Sequence, residues 1–476
     1  MSTTTPVEET LQPPIYKTKG WRHQLDAYWF SASKEAAMLA HAMGCGKSWV
    51  AVNLMVNWNA KRVLVLTPKS VMGVWQREIG KHSAVPYNIL TLQNSKTTAQ
   101  KTVMASNFLN KHHDNCVIVL NYETAKLPDF AKWSLAIQWD LVILDEVHRI
   151  KSNNTQVSKY AEKLGLKATR RLGLSGTIMP HSPLDVFGQY RFLAPELFGH
   201  SWFKFRYRYA LMQNTSIPQM VTGLQRQGEL AAKIATITHR VGNEVLDLPP
   251  VQHHTRTVEL SPKERKHYRE LESELITELA EGTLTIANAL TKSLRLRQTT
   301  GGFLSPDDCD TVERIGKSKQ MCLKDILLDL GPKEPVVIFA VFRHDLLRIR
   351  ETVESLQKQP GWEHYQHGEI SGSQKDLTEN AEMPGYIYAM GVQPSSGSLG
   401  IDLTRAAYCI YYSHPWSLGE YQQSLARPHR PGQERPVNYY HIVAKGTVDE
   451  AVQKSLQKKE EVVNTILSVF KRRSTS

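Results

Sequence analysis

Short apolar runs recur through the first half of the chain, each followed by a turn or by a polar, helix-compatible segment. They fall at Ala36–Ala40, Val63–Thr67, Val117–Asn121, Leu141–Asp145 and Arg171–Ser175. Runs of this length suit buried strands, and strands that alternate with helices build a parallel sheet wrapped on both faces. The alternation resumes at Val336–Val341, Gly368–Ser371, Tyr386–Met390, Tyr408–Tyr412 and Val437–Val443. Two such series within 476 residues predict an α/β protein of two lobes, each an open parallel sheet with its own core.

The stretch between the two series punctuates them. From about residue 195 to 240 the pattern turns aromatic and basic (SWFKFRYRYALMQ) and predicts a helical protrusion on the first lobe. At Leu246-Asp247-Leu248-Pro249-Pro250 two prolines end any helix and stiffen the chain. Ser261-Pro262-Lys263-Glu264 then opens a long helix, with serine at the cap, proline just inside and glutamate at the third position. The expected division is a leader without structure over 1–15, a first lobe over 16–245, a proline linker and helical segment over 246–330, and a second lobe with a C-terminal helix over 331–476.

Composition narrows the class. Hydrophobic residues make up 41% and charged residues 22%, the balance of an ordinary globular protein. No apolar run approaches the roughly 20 residues that span a bilayer. The opening MSTTTPVEETLQPP lacks the basic start and apolar stretch of a secretory signal. Cys45, Cys116, Cys309, Cys322 and Cys409 form no CxxC pair, which predicts reduced thiols and a cytoplasmic setting. The pairs His112-His113 and His253-His254 would point to opposite faces of a strand and lack partner ligands, so they read as surface histidines. A net charge of +12 favours a polyanionic partner without identifying it.

The chemistry starts at Ala40-His41-Ala42-Met43-Gly44-Cys45-Gly46-Lys47-Ser48, which lies between an apolar strand and a helical run. Strand, glycine loop, then Gly-Lys-Ser opening a helix is the arrangement that cradles phosphates. Gly44 and Gly46 let the loop N–H groups of Met43 to Lys47 turn towards an anion, and the helix N-terminus adds a favourable dipole. Lys47 would reach the β- and γ-phosphates of ATP, and the Ser48 hydroxyl would bind Mg²⁺. The loop has His41 where the general pattern has its first glycine. A second element, Leu141-Val142-Ile143-Leu144, ends in Asp145-Glu146-Val147-His148. Carboxylates at the C-terminal end of a parallel strand face the crevice where ligands bind. Asp145 would hold the Mg²⁺, and Glu146 would orient or deprotonate the attacking water.

Asp145-Glu146-Val147-His148-Arg149-Ile150-Lys151 resembles the DExH box of superfamily-two helicases, and in particular that of the Swi/Snf-type DNA translocases. The resemblance runs from Trp21 to about Glu450 with the motifs in the family's order, and it implies two RecA-like lobes. Trp21-Arg22-His23-Gln24 is similar to the element whose glutamine reads adenine, which implies that role for Gln24. Thr67-Pro68-Lys69, followed by Trp75, and Asn121-Tyr122-Glu123 resemble turns that contact a nucleic-acid backbone. Leu174-Ser175-Gly176-Thr177 resembles the motif that couples ATP state to lobe movement, a role the resemblance extends to His148 and Gln423.

In the second half, Ile338–Phe342 resembles the strand that opens the second lobe. Gly397-Ser398-Leu399-Gly400-Ile401-Asp402-Leu403-Thr404 resembles a glycine turn touching nucleotide, through Gly400 and Asp402, and DNA, through Thr404. Gln423-Ser424-Leu425-Ala426-Arg427-Pro428-His429-Arg430-Pro431-Gly432-Gln433 resembles the family's arginine motif. Phosphoryl transfer gathers negative charge on the γ-phosphate oxygens, and guanidinium groups at Arg427 and Arg430 would stabilise it. The two fall on one face if the segment is helical up to Pro431. Two motifs depart from the family pattern. Thr177 is followed by Ile178-Met179-Pro180-His181 in place of Thr-Pro-x-x-Asn, and Trp416-Ser417-Leu418, a DNA-contacting position, replaces Trp-Asn-Pro.

Residues and resemblance together imply a monomeric, DNA-dependent ATPase in the cytoplasm of a bacterial or phage-infected cell. It would move along duplex DNA without necessarily parting the strands. The alternatives are a strand-separating or RNA helicase, and an ATP-binding nucleic-acid clamp with little turnover.

Overall fold

The computed structural model describes residues 16–92, 96–212, 221–280, 286–304, 312–396 and 401–467. The leader 1–15, Cys309 and the expected nucleotide contact Gly400 lie outside them. The chain forms two compact units: one of residues up to Ile178 together with Val186–Gly242, the other of Met179–Asp185 and the chain from Asn243 on.

The first unit is built on seven parallel strands: β1 (Ala36–His41), β2 (Arg62–Thr67), β3 (Asn88–Thr91), β4 (Cys116–Asn121), β5 (Trp139–Asp145), β6 (Ala168–Ser175) and β9 (Thr238–Val241). Their order is β3-β4-β2-β5-β6-β1-β9. The central strands are buried along nearly their whole length, as a sheet covered on both faces requires. Helices α1 (Arg22–Ala32), α2 (Lys47–Asn57) and α3 (Met72–His82) pack one face through Ala27, Tyr28, Val50, Leu54, Trp75 and Ile79 against Leu39, Val63, Val65 and Ile143.

The expected protrusion is only partly helical. Helices Pro195–Phe198, Trp202–Tyr209 and Gln227–Ala235 are interrupted by an antiparallel hairpin, β7 (Ala210–Met212) with β8 (Val221–Leu224), and the chain then returns as β9 to the sheet edge beside β1. The strand at Thr238 is short and half polar, so its periodicity is lost beside the helix before it.

The second unit carries six parallel strands: β10 (Val251–Val258), β13 (Val336–Phe339), β14 (Gln366–Ile370), β15 (Ile387–Val392), β16 (Tyr408–Tyr411) and β17 (Val437–Ala444). The order is β10-β17-β16-β13-β15-β14, and a separate two-stranded piece pairs β11 (Phe303–Leu304) with β12 (Glu313–Arg314). Alternate residues of β13 enter different cores: Val336 and Ile338 on one face, Val337 and Phe339 on the other.

The region read as a linker is therefore corrected. Residues 251–258 form an edge strand paired along its length with β17, and its polar sequence VQHHTRTV reflects its exposed side. The capping signal at Ser261 holds: the Ser261 N–H donates to Glu264 Oε2 at 2.8 Å, the Glu264 N–H donates to the Ser261 hydroxyl at 3.3 Å, and the helix runs from Pro262 to Ala280. Among the described residues no helix is long and apolar enough to cross a membrane.

Candidate active site

Sheet register gathers the motifs of the first unit at one edge. Ala40 on β1 pairs with Ser175 on β6, Leu174 pairs with Asp145 on β5, Leu66 on β2 pairs with Leu144, and Thr67 pairs with Asn121 on β4. The phosphate loop, the DExH carboxylates, Ser175, Thr67 and Asn121 thus leave the C-terminal ends of neighbouring parallel strands, where ligands of open α/β sheets bind.

In the loop, Gly44 and Gly46 adopt φ of +83° and +69°, a region that glycine enters without strain. At Gly46 a Cβ would come within 2.0 Å of the Gln24 amide nitrogen, so a side chain is excluded by contact as well. Met43 lies beside Gly176, and Cys45 is fully buried. Lys47 opens α2, and its ammonium donates to the carbonyls of His41 at 3.0 Å and Ala42 at 3.4 Å. The ammonium is thereby folded back over the loop.

His41 is wholly buried and shares a hydrogen bond of 3.0 Å with His239 on β9. Burial, the facing ring and Lys47 keep His41 well below the usual imidazole range, and burial lowers His239 to about 4. Both rings are neutral near pH 7, so the first-glycine position is filled by an uncharged histidine pair.

The carboxylate side is tightly organised. Asp145 Oδ2 accepts from the Thr67 hydroxyl and from the Trp75 indole N–H, both at 3.0 Å. The Tyr122 hydroxyl donates to the Asp145 carbonyl at 2.7 Å. Burial, and then the Glu146 charge next door, push the Asp145 carboxyl above its ordinary range, while the two hydrogen bonds and Lys47 pull the other way. Glu146 sits at φ +53°, a left-handed backbone rare for a non-glycine residue and one that turns its side chain out of the strand direction. Its Oε2 lies 3.2 Å from His148 Nδ1, which is also 3.0 Å from the Ser175 hydroxyl. Ser175 in turn donates to the Thr177 carbonyl and accepts from its N–H. His148, Ser175 and Thr177 thus form one hydrogen-bonded line, with the Glu146 carboxylate at ion-pair distance from its histidine end.

Several expected nucleic-acid contacts have a different place. Thr67 is buried and spends its hydroxyl on Asp145, and Pro68 is buried behind it. Asn121 is buried and accepts from the Thr124 N–H as a helix cap. Tyr122 is buried on Asp145. These four are buried and brace the strand ends; Lys69, by contrast, is exposed. Trp75 was read only as a companion of that turn, yet it donates to the central carboxylate. The only sequence signal for this is a tryptophan one turn into the helix after β2.

Gln24 is buried, with its Oε1 accepting the Trp21 N–H at 2.7 Å and its amide nitrogen 3.3 and 3.5 Å from the Gly46 and Cys45 carbonyls. It braces the loop from outside. The donor set suits Mg²⁺, which takes few protein ligands and several from phosphate and water. Ser48 stands at the start of α2 and Asp145 at the end of β5, which β6 separates from β1, and among the described residues no group of three or more acidic, histidine or cysteine side chains forms a closed metal cage.

In the second unit the helix Leu418–Leu425, on which Gln423 is half-buried, ends before the arginines. Arg427 and Arg430 therefore lie in the following turn, and the expectation of one helical face is corrected: Pro428 cannot continue the hydrogen-bond ladder. Arg427 is buried. Arg430 donates to the Ile401 carbonyl at 3.2 Å and faces Asp402 at 4.0 Å. Asp402 also accepts from the Thr404 N–H and hydroxyl, so Asp402, Thr404 and Arg430 form one cluster. Trp416 is 43% exposed and lies over the guanidinium of Arg297, which is itself buried and contacts Phe342 and the His414 carbonyl. His253 is exposed, as expected, and bonds His441, which bonds His414, while the half-buried His254 bonds Asn438. Burial holds His414 down at about 3 and His441 at about 2.

A glycine loop whose lysine opens a helix, beside a carboxylate pair on the same edge of a parallel sheet, defines a phosphate-loop ATPase on a RecA-like scaffold. Comparison with known proteins narrows this. The SNF2-related domain matches residues 21–301, and the helicase conserved C-terminal domain matches residues 318–432. The chain belongs to the SNF2-related family of superfamily-two helicase-like ATPases.

A putative protein p41 of Acyrthosiphon pisum secondary endosymbiont phage 1 is 26% identical over 90% of this chain and 94% of its own length. The putative ATP-dependent helicase/translocase YwqA of Bacillus subtilis is 24% identical over 90% of this chain and 46% of its own. The DNA repair and recombination protein RDH54 of Saccharomyces cerevisiae is 23% identical over 84% and 44%. The chain thus spans nearly all of the phage protein and less than half of the other two. The Sulfolobus solfataricus SWI2/SNF2 ATPase core, solved in complex with dsDNA, aligns over 96% of this chain and 95% of its own at 20% identity, with a TM-score of 0.43.

Proposed function

We propose that this ATPase is a translocase that couples ATP hydrolysis to movement along double-stranded DNA. The observation that carries this reading is the line Glu146–His148–Ser175–Thr177. A water-activating carboxylate in ion-pair contact with a histidine that is hydrogen-bonded into the segment leading out of β6 suits an enzyme in which hydrolysis does mechanical work.

The loop amides from Met43 to Lys47 and the N-terminus of α2 bind the triphosphate, and Lys47 exchanges its carbonyl partners for the β- and γ-phosphates. A magnesium ion held by Ser48, Asp145 and the phosphates would neutralise charge there. Thr67 and Trp75 keep the Asp145 carboxylate oriented. Glu146 accepts a hydrogen bond from the attacking water and draws its proton as the bond to phosphorus forms. Arg427 and Arg430 supply positive charge to the γ-phosphoryl oxygens in the transition state, with Gln423 beside them. Asp402 holds Arg430 between turnovers. The exposed Lys69, with Thr404 and Trp416 of the second unit, grips phosphate backbone, which implies little sequence preference and strong salt dependence.

ATP hydrolysis measured with duplex DNA, single-stranded DNA and RNA, with Lys47→Ala as the inactive control, tests the proposal. Stimulation is expected to be greatest with duplex DNA. Strongest stimulation by RNA would replace the duplex assignment, and no stimulation by any nucleic acid would remove it.

A further inference from the structure

Each of the two large parallel sheets ends in a pair of edge strands, and one of these strands stands apart from the rest. β3 and β9 have four residues each, and β14 has five, with a register shift between Gln366 and His367. β10 has eight residues, paired with β17 from Val251 to Val258 without a break, and all but His254 and Val258 are exposed. Short length, a bulge, lysine or proline ordinarily protects an edge from pairing with another chain. The sequence VQHHTRTV has neither lysine nor proline, and its one charge, Arg256, is turned onto the Tyr440 ring at 5.9 Å.

The Pro250 and Val258 carbonyls accept from the Val437 and Lys445 N–H groups at 3.0 and 2.9 Å, so the even-numbered residues turn their backbone groups to β17. The N–H and C=O groups of Val251, His253, Thr255 and Thr257 therefore point outward, and among the described residues nothing bonds them. The helix Ser318–Leu330 runs beside this edge, and a cavity of about 420 Å³ between them is lined by Arg256, Val258, Met321, Asp325 and Asp329. Arg256 also lines a second cavity of about 360 Å³, with His254 and Tyr440, whose rings stack at 4.9 Å. Asp329 meets Arg256 at 3.6 Å, whereas Asp325 is exposed and has no ion pair among the described residues. The groove along β10 therefore carries a carboxylate that nothing offsets.

We propose that β10 is a docking edge for an extended, basic segment of another protein. The segment adds to the sheet as a further strand and sets a lysine or arginine against Asp325 and Asp329. Main-chain hydrogen bonds to the outward groups of β10 supply affinity, and the groove selects among alternate side chains. On the same face His254 and Tyr440 offer the next side chain an aromatic floor. A second copy of the chain fits less well. Two β10 strands paired antiparallel in full register would set Arg256 against His253 and leave Asp325 unmet. The proposal concerns a protein ligand and is independent of how ATP is used.

The test is selection of displayed random peptides, matched in length to β10, on the full chain, followed by binding of the enriched peptides to variants. Peptides carrying lysine or arginine are expected to be enriched and, once bound, to slow hydrogen exchange across residues 251–257. Thr255→Pro removes an outward N–H and leaves the ladder to β17 intact; it should weaken these peptides about tenfold. Asp325→Lys, a change on the helix surface, should weaken them about fivefold. Both variants should melt as the wild type does; if Thr255→Pro melts early, Asp325→Lys alone decides the outcome. No enrichment, enrichment of acidic peptides, or binding that Asp325→Lys leaves unchanged would overturn the proposal. A dimer of the free chain that Thr255→Pro dissociates in sedimentation would also overturn it, because β10 would then pair with its own copy.

Discussion

In the first unit the carboxylates proposed to be catalytic are held in place by the fold. Asp145 takes hydrogen bonds from Thr67 and Trp75, its carbonyl takes one from Tyr122, and Glu146 is tied through His148 to Ser175. In the second unit Arg430 faces Asp402 only at 4.0 Å, with both side chains about a third exposed, and the arginine segment lies in a turn past the end of its helix. An ion pair of that length and exposure contributes little to stability. The carboxylate pair is firmly held, whereas Arg430, unlike the buried Arg427, can exchange its partner at small cost. That asymmetry suits an enzyme whose rate is controlled by when the arginines engage, because a preorganised carboxylate site needs no reorganisation at the moment of reaction.

The largest effect should come from the arginine turn. Arg430→Ala and Arg427→Ala are each expected to lower ATP hydrolysis by roughly 10³-fold or more, with nucleotide affinity nearly kept, as measured by steady-state turnover and equilibrium binding. A loss below tenfold for both would leave the second unit outside the chemistry. Glu146→Gln should reduce turnover by about 10²- to 10⁴-fold while ATP still binds; unchanged turnover would show that another group activates the water.

Trp75→Phe probes the rigid side. It deletes one donor to Asp145 and leaves a smaller aromatic ring in place, and should cost about 1–3 kcal/mol locally, read as roughly a tenfold fall in turnover and weaker Mg²⁺ dependence. If turnover and Mg²⁺ dependence match the wild type, the indole bond is structural only. The smallest effect concerns Asp345 in the second unit, fully buried and bonded to Ser413. Burial pushes its carboxyl up to about 6 from 3.8. The folded protein then binds this proton more tightly than the unfolded chain does, so the site favours folding at acid pH and that contribution is lost as pH rises through about 6. Asp345→Asn should narrow the difference in melting temperature between pH 5 and pH 7. An unaltered difference would place the titration elsewhere.

Much of this was legible in the sequence. The strands inside each sheet are apolar on both faces and stand out as unbroken runs, and the glycine loop and DExH box mark the edge they share. What escaped lies where tertiary context overrides pattern. The edge strands β3, β9 and β10 are short or half polar, because only part of each is covered. The roles of Thr67, Trp75 and Tyr122 depend on the pairing of Leu66 with Leu144, which sets Thr67 beside Asp145. A linear motif shows that Thr67 ends a strand but not which strand lies next to it, and so the bonds of Thr67, Trp75 and Tyr122 to Asp145 cannot be foreseen from it. The helix before Arg427 stops early because Pro428 follows, a limit the proline itself announced.

The central claim is that the phosphate loop and the arginine turn act on one nucleotide during turnover. Spin labels at the exposed Glu35 of the first unit and Glu434 of the second, measured by pulsed dipolar spectroscopy with duplex DNA, test it directly. A non-hydrolysable ATP analogue with Mg²⁺ should shorten and narrow the distance distribution, and Lys47→Ala should abolish the change. A distribution indifferent to nucleotide would contradict the claim.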